Sequence, residues 1–121
     1  MNRTAALPSA RWLRACGAVL AGLGVALAAY ASHGASEAAS GNLQTAALFA
    51  FGHGIALAAL ARGVASRLSL AALAMLLLGT LVFAGALLAK SLWGASSAPA
   101  PFGGMAMILG WLLYAASALR D

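Results

Sequence analysis

Four stretches of this chain run for about twenty residues each with no charged side chain inside them except Arg14, near the start of the first. The first spans Trp12 to about Ser32 and holds CGAVLAGLGVALAAYAS at its centre. The others cover about 43–61, 68–89 and 102–119. A bilayer core about 30 Å thick needs roughly 20 apolar residues per helix, so each run is long enough to cross one. Within hydrocarbon every backbone group must be hydrogen-bonded internally, which leaves the helix as the form such runs can take. The expected fold is therefore all-α: one integral membrane four-helix bundle occupying residues 1–121, with no soluble domain left over.

Composition agrees. Of the 121 residues, 64% are hydrophobic and 7% are charged. A soluble domain carries roughly 25% charged residues and needs them to face water. The mean hydropathy is +0.95. Alanine dominates, so the apolar character is spread thinly rather than concentrated in leucine.

The net charge of +5 raises the question of nucleic acid. The basic residues Arg3, Arg11, Arg14, Arg62, Arg67, Lys90 and Arg120 form no dense patch. They fall at the ends of apolar runs, where they act as topology signals and headgroup contacts, and no nucleic-acid partner is expected. Arg3, Arg11 and Arg14 lie before or at the start of the first run, Arg62 and Arg67 lie in the RGVASR loop, and Arg120 ends the fourth. Only Lys90, with Glu37, belongs to the opposite side. By the positive-inside rule both termini are expected in the cytoplasm, with the protein multi-pass in a bacterial inner membrane. Trp12, Tyr30, Trp93 and Phe102 fall at the expected interfaces. One alternative is that the arginines, the apolar run and Ala29-Tyr30-Ala31 before Ser32 form a signal peptide.

The connections are short. HGASEAASGN (33–42) is small and polar, RGVASR (62–67) is a tight turn, and KSLWGASSAPAP (90–101) places Pro99 and Pro101 just outside a helix start. Lipid gives no hydrophobic force between helices, so close approach at small residues must hold them together. Ala18 with Gly22, Gly24 with Ala28, Ala50 with Gly54 and Ala106 with Gly110 offer such four-residue pairs. The same glycines could instead line a pore.

Two histidines stand out. His53, in FAFGHGIALAAL, lies inside the second run, nine residues past Gln44 and so about 13 Å below the outer end. An ionisable residue there is costly and marks either function or a hydrogen bond that fixes register. Trp111 reaches the same depth on the fourth run, and Thr80 on the third lies within about a turn of it. The expected polar intramembrane cluster is thus His53, Thr80 and Trp111. His33 is expected at the outer rim with Glu37, four residues on, as a surface pair or a weak metal site. His33 and His53 differ in depth by roughly 15 Å, too much to share one ion, so no metal or cofactor is expected. Lys90 can snorkel to the interface. Cys16 is the single cysteine and is expected to be a buried spectator thiol.

Proton-driven transporters commonly need a membrane carboxylate. The two acids are Glu37 in a loop and Asp121 at the end. No Ser-His-Asp set, cysteine cluster or phosphate-binding glycine loop is readable, so no enzymatic activity is expected.

Three stretches carry a resemblance. GVALAAYASHGA is similar to a first-span ending Gly-Ala-Phe/Tyr-Gly-Ala-His-Gly. FGHGIALAAL is similar to a second-span Tyr-His-Ala-Leu-Ala motif. FAGALLAKSLWG with APAPFGGMAMILGWLLYA is similar to a Phe-Ser-Gly-Ser-Leu-Tyr third span and a Thr-Pro-x-Gly-Gly…Gly-Trp fourth span. Over about residues 12–119 the chain resembles the domain-of-unknown-function 423 family, small multi-span membrane proteins related to eukaryotic transmembrane protein 256. The stretch Pro101-Phe102-Gly103-Gly104…Gly110-Trp111 is its most specific part. The resemblance implies that His33 and His53 are the family's two histidines and that Gly103, Gly104 and Trp111 are its fourth-span motif; Gly103 and Gly104 are expected to join Gly22, Gly54 and Gly110 as packing glycines. It implies a fold and a membrane but no activity. The family's Ser-Gly-Ser is Ala84-Gly85-Ala86 here, its threonine is Ala100, and Lys90 replaces an apolar residue.

The expectation is a non-catalytic membrane protein. It would serve as a structural or accessory subunit packing against a larger membrane complex or against its own copies. The alternative is a small oligomeric channel or transporter using His53.

Overall fold

A computed structural model describes residues 8–121; Arg3 lies outside them. The elements are α1 (Pro8–His33), α2 (Glu37–Leu60), a single 3₁₀ turn (Ala61–Gly63), α3 (Arg67–Trp93) and α4 (Ala100–Arg120). All four α-helices are long and apolar enough to cross a membrane. They form two antiparallel hairpins, α1–α2 and α3–α4. Both short hairpin turns lie at one end, termed the hairpin end; the start of α1, the end of α4 and the 61–66 connection lie at the other, termed the termini end.

The helices reach further than the apolar runs. α2 begins at Glu37, not near residue 43, because Ser36 caps it by accepting the Ala39 N–H on its hydroxyl at 3.3 Å. The residues that read as a loop fold because they bond locally. Gln44 Nε2 donates to Ser40 Oγ at 3.2 Å, and Thr45 Oγ1 donates to the Gly41 carbonyl at 3.1 Å. α3 starts at a capping box in which Ser66 and Ser69 each hold the other's backbone N–H. It runs to Trp93, past the expected end near residue 89, and Gly94 stops it with φ of 67°, a left-handed turn that only glycine adopts without strain. Pro99 caps α4, but Pro101 sits inside its first turn, where a missing N–H costs nothing.

Each hairpin is closed by one glycine of each helix meeting backbone to backbone. A Cβ built on Gly54 would stand 2.6 Å from the Gly17 carbonyl oxygen and 2.5 Å from the Ala21 nitrogen. A Cβ on Gly103 would stand 2.6 Å from the Gly79 oxygen and 2.5 Å from the Phe83 nitrogen. Neither site admits a side chain without parting the helices. The two crossings share one register. Gly24, seven residues after Gly17, meets Phe51, three before Gly54; Gly110, seven after Gly103, meets Leu76, three before Gly79.

This corrects the choice of packing residues. The buried stripe of α1 is Leu13, Gly17, Leu20 and Gly24, while Ala18, Gly22 and Ala28 are exposed. A Cβ on Gly22 would meet nothing, and one on Gly104 would make only an ordinary contact with the Phe83 ring. Gly54, Gly103 and Gly110 do pack tightly, together with Gly17 and Gly79, which the four-residue pairs missed. Cys16 is exposed rather than buried.

The hairpins meet along α2 and α3. Leu57, Leu73, Leu76 and Met107 fill the centre; Ala10, Leu13, Ala61 and Val64 close the termini end. α1 leans mainly on α2, and its far face is apolar and exposed at Trp12, Val19, Leu23 and Val25.

Candidate functional site

The polar centre of the molecule lies between α2 and α4. His53 is ten residues from Gly63 and Trp111 is nine from Arg120, so the two stand about 15 and 14 Å from the termini end at 1.5 Å per residue. That is roughly half of a 30 Å hydrocarbon core. At this level the Trp111 Nε1–H donates to His53 Nε2 at 3.1 Å. His53 Nδ1 lies 3.0 Å from the carbonyl oxygen of Phe49, one turn earlier on its own helix.

These partners fix the state of the ring. A carbonyl can only accept, so Nδ1 carries the hydrogen. An indole N–H can only donate, so Nε2 is a bare acceptor. The neutral ring with its proton on Nδ1 satisfies both bonds; a doubly protonated ring would set one N–H against another.

Aromatic rings extend the pair on both sides. Phe49 stacks on His53 with centroids 5.8 Å apart and planes 11° from parallel, and Phe83 of α3 meets Phe49 at 4.8 Å. His53 and Trp111 lie 5.8 Å apart, and Tyr114 meets the Trp111 ring edge-on at 6.3 Å. Five rings from three helices thus form one row, with His53 at its middle. Phe49, Phe83 and Tyr114 were absent from the sequence-based site. For two of them the signal is helical spacing: Phe49 precedes His53 by four residues and Tyr114 follows Trp111 by three, whereas Phe83 on α3 carries none.

Thr80 does not join them. It is fully buried, and its hydroxyl donates to the Leu76 carbonyl of its own helix at 2.6 Å. Depth alone suggested the contact, but a threonine in a helix can satisfy itself one turn back.

His53 and Trp111 do not lie in the sealed interior. His53 is half-buried, and Trp111 keeps 39% of its surface exposed. The bonded pair faces outward in the groove between α2 and α4.

The outer-rim pair is also rearranged. His33 ends α1 and Glu37 begins α2, so the two are not a turn apart on one helix. Both are exposed, with no ion pair between them among the described residues. His33 and His53 stay apart, since sixteen residues of α2, about 24 Å, separate Glu37 from His53. At the termini end Ser66 Oγ–H donates to the Asp121 carboxylate at 2.9 Å, tying the start of α3 to the end of α4.

Four helices long and apolar enough to cross a membrane, closed into two glycine-crossed hairpins, define a small all-helical protein whose every helix could serve as a membrane span. The chain belongs to the DUF423 family: the model described as "Protein of unknown function (DUF423)" matches residues 27–104. The match takes in His33, His53, Thr80, Gly54, Gly79 and Gly103 and ends at Gly104, short of the expected span to residue 119 and of Trp111. No curated protein and no solved structure matches the chain.

Proposed function

We propose that this chain is a non-catalytic integral membrane protein whose α2–α4 face packs against another membrane protein or a further copy of itself. The observation that carries the reading is the position of the His53–Trp111 hydrogen bond. It lies half exposed and midway along the candidate spans. Polar groups at that depth normally turn to the bundle interior, because hydrocarbon offers them nothing. A hydrogen-bonded pair flanked by half-buried rings suits a protein surface, which can bury the rings and add bonds, better than it suits lipid.

The finer points rest on charge. Arg11, Arg14, Arg62, Arg67 and Arg120 belong to the termini end, and Lys90 belongs to the hairpin end. This supports a bacterial inner membrane with both termini in the cytoplasm. The acids support a role without acid–base chemistry at His53: Glu37 opens α2 and Asp121 follows α4, at opposite ends.

Native mass spectrometry of the protein released gently from its own membrane tests the proposal. The expected mass contains a second membrane protein or further copies, and His53→Leu with Trp111→Leu sheds that partner. A bare monomer from the unaltered protein overturns it. If copies alone are found, the channel reading gains ground, because the same face would then line a shared path. A His53-dependent ion flux in proteoliposomes would establish that reading.

A further inference from the structure

α1 touches α3 so lightly that a groove stays open between them. Two apolar clefts lie along it. The first, about 390 Å³, is lined by Trp12, Cys16, Val19 and Leu77; the second, about 150 Å³, is lined by Leu27, Ala50, Gly85 and Leu88. Leu20 and Leu81 line both, so the clefts meet end to end. We propose that this groove holds one acyl chain of an anionic phospholipid, whose headgroup phosphate is bound at the termini end by Arg11 and Arg67.

The shape of the groove selects a chain. On α1, Trp12 to Leu20 is eight residues, about 12 Å, against roughly 15 Å for half of a 30 Å hydrocarbon core. The second cleft continues to Leu27, about 10 Å further. Apart from the Trp12 indole at the mouth and the Cys16 thiol, no lining side chain can hydrogen-bond. A polar solute therefore gains nothing there. A helix of a second copy fits poorly. It is about 10 Å across with its side chains and approaches closely only at small residues. Val19, Leu20, Leu77 and Leu81 wall the first cleft instead. The groove between α2 and α4 is filled by the protein's own rings, His53, Trp111 and Tyr114; this one has no such filling.

The charge at the mouth selects the head. The Arg11 guanidinium lies 6.0 Å from the centre of the Trp12 ring, over a residue that lines the first cleft. Arg67 opens α3 fourteen residues before Leu81, nearly four turns of about 3.6 residues, and so stands on the same side of that helix. Both arginines are exposed, and neither forms an ion pair among the described residues. Asp121, the acid at this end, takes its hydrogen bond from Ser66. Guanidinium groups bind phosphate through paired N–H donors. These two belong to the two helices that wall the groove, so a phosphate between them has its chain directly below. At the hairpin end the groove finishes in the smaller cleft, followed by Lys90 alone.

The test uses the full-length protein in nanodiscs of equal phosphatidylcholine and phosphatidylglycerol, with retained lipids counted by native mass spectrometry. One phosphatidylglycerol per chain should be kept in preference to phosphatidylcholine. Arg11→Gln and Arg67→Gln should each weaken retention about fivefold. Arg120→Gln, at the same end on α4, and Lys90→Gln, at the other end, should leave it unchanged. Cys16→Phe fills the first cleft and should abolish retention, whereas Gly22→Phe, which meets open space on α1, should not. Circular dichroism checks that each variant folds. Equal retention of the two lipids overturns the proposal, as does retention that survives Cys16→Phe. A loss in Arg120→Gln equal to that in Arg67→Gln overturns it too, because net charge would then explain the effect. A lipid-free dimer that Cys16→Phe dissolves would give the groove to a second copy instead. The outcome is independent of whether His53 and Trp111 meet a partner.

Discussion

The hairpins α1–α2 and α3–α4 share one crossing but not one set of fastenings. In both, two glycines bring backbones into contact, with neighbours in matching register. Around the second crossing α4 is further held by hydrogen bonds. Ser66 reaches Asp121 at 2.9 Å, and Trp111 reaches His53 of α2 at 3.1 Å. Around the first, one side-chain bond ties the helices among the described residues, from Ser40 Oγ–H to the Ala31 carbonyl at 2.9 Å, close to the turn. Beyond it the described part of α1 is held to α2 by shape. Close packing without polar fastenings is all-or-none, because dispersion fades once atoms part by a fraction of an ångström.

The sharpest way to break the comparison is to fill both crossings. Gly54→Leu and Gly103→Leu should each cost about 3 kcal/mol or more, since the new side chain meets backbone that cannot give. Gly54→Leu should free α1 along most of its length, whereas Gly103→Leu should leave α4 attached near Trp111 and Asp121. Crosslinking between paired cysteines along each hairpin reads this out, and equal loosening in both would refute the difference. Gly22→Leu is the control and should cost less than about 0.5 kcal/mol, because that position is open.

Ser66→Ala comes next. It removes the cap of α3 and the bond to Asp121, and about 1 kcal/mol of stability should go with them. Hydrogen exchange at the first turn of α3 should rise while α2 stays protected; unchanged exchange there would mean the cap is idle.

Trp111→Phe keeps the ring and deletes the donor. A single inter-helix hydrogen bond in a membrane protein averages about 0.6 kcal/mol, and a loss of that order is expected in a reversible unfolding assay. The ¹⁵N signal of His53 Nε2 should also move as its donor is lost. A still signal would show that the bond does not form.

Smallest is Thr80→Val, expected to change stability by less than about 0.5 kcal/mol and to leave the His53 nitrogens undisturbed, since Thr80 bonds only to its own helix. A shift of the His53 signals in this variant would restore Thr80 to the polar cluster.

These contrasts show what the sequence could and could not disclose. Four helices are legible because uncharged runs of about twenty residues leave no other backbone solution. Helix ends are not, because Ser36 and Gly94 act through local hydrogen bonds and backbone angles that hydropathy ignores. The nearness of His53 and Trp111 follows from counting residues along two antiparallel helices. Its outward direction does not, since depth says nothing of rotation. The α1 stripe was misread in part: Gly24 was read, but Gly17 was not. In an alanine-rich helix several small-residue pairs look alike, and only the partner decides that Gly17 joins Gly24 in facing it while Ala18, Gly22 and Ala28 do not.

The repeated crossing has a further consequence. Gly17 and Gly24 lie on α1, which runs from the termini end, while their counterparts Gly103 and Gly110 lie on α4, which runs toward it. An operation that carries one crossing onto the other must therefore turn the molecule upside down, as a rotation about an axis lying flat in a membrane would. At these crossings, seen as a solid, the protein has no top or bottom. What tells one side from the other is what lies beyond the crossings: two hairpin turns and a lysine at one edge, one connection and the arginines at the other. Which way it faces would be written in a handful of charges, and a few exchanged basic residues would suffice to rewrite it.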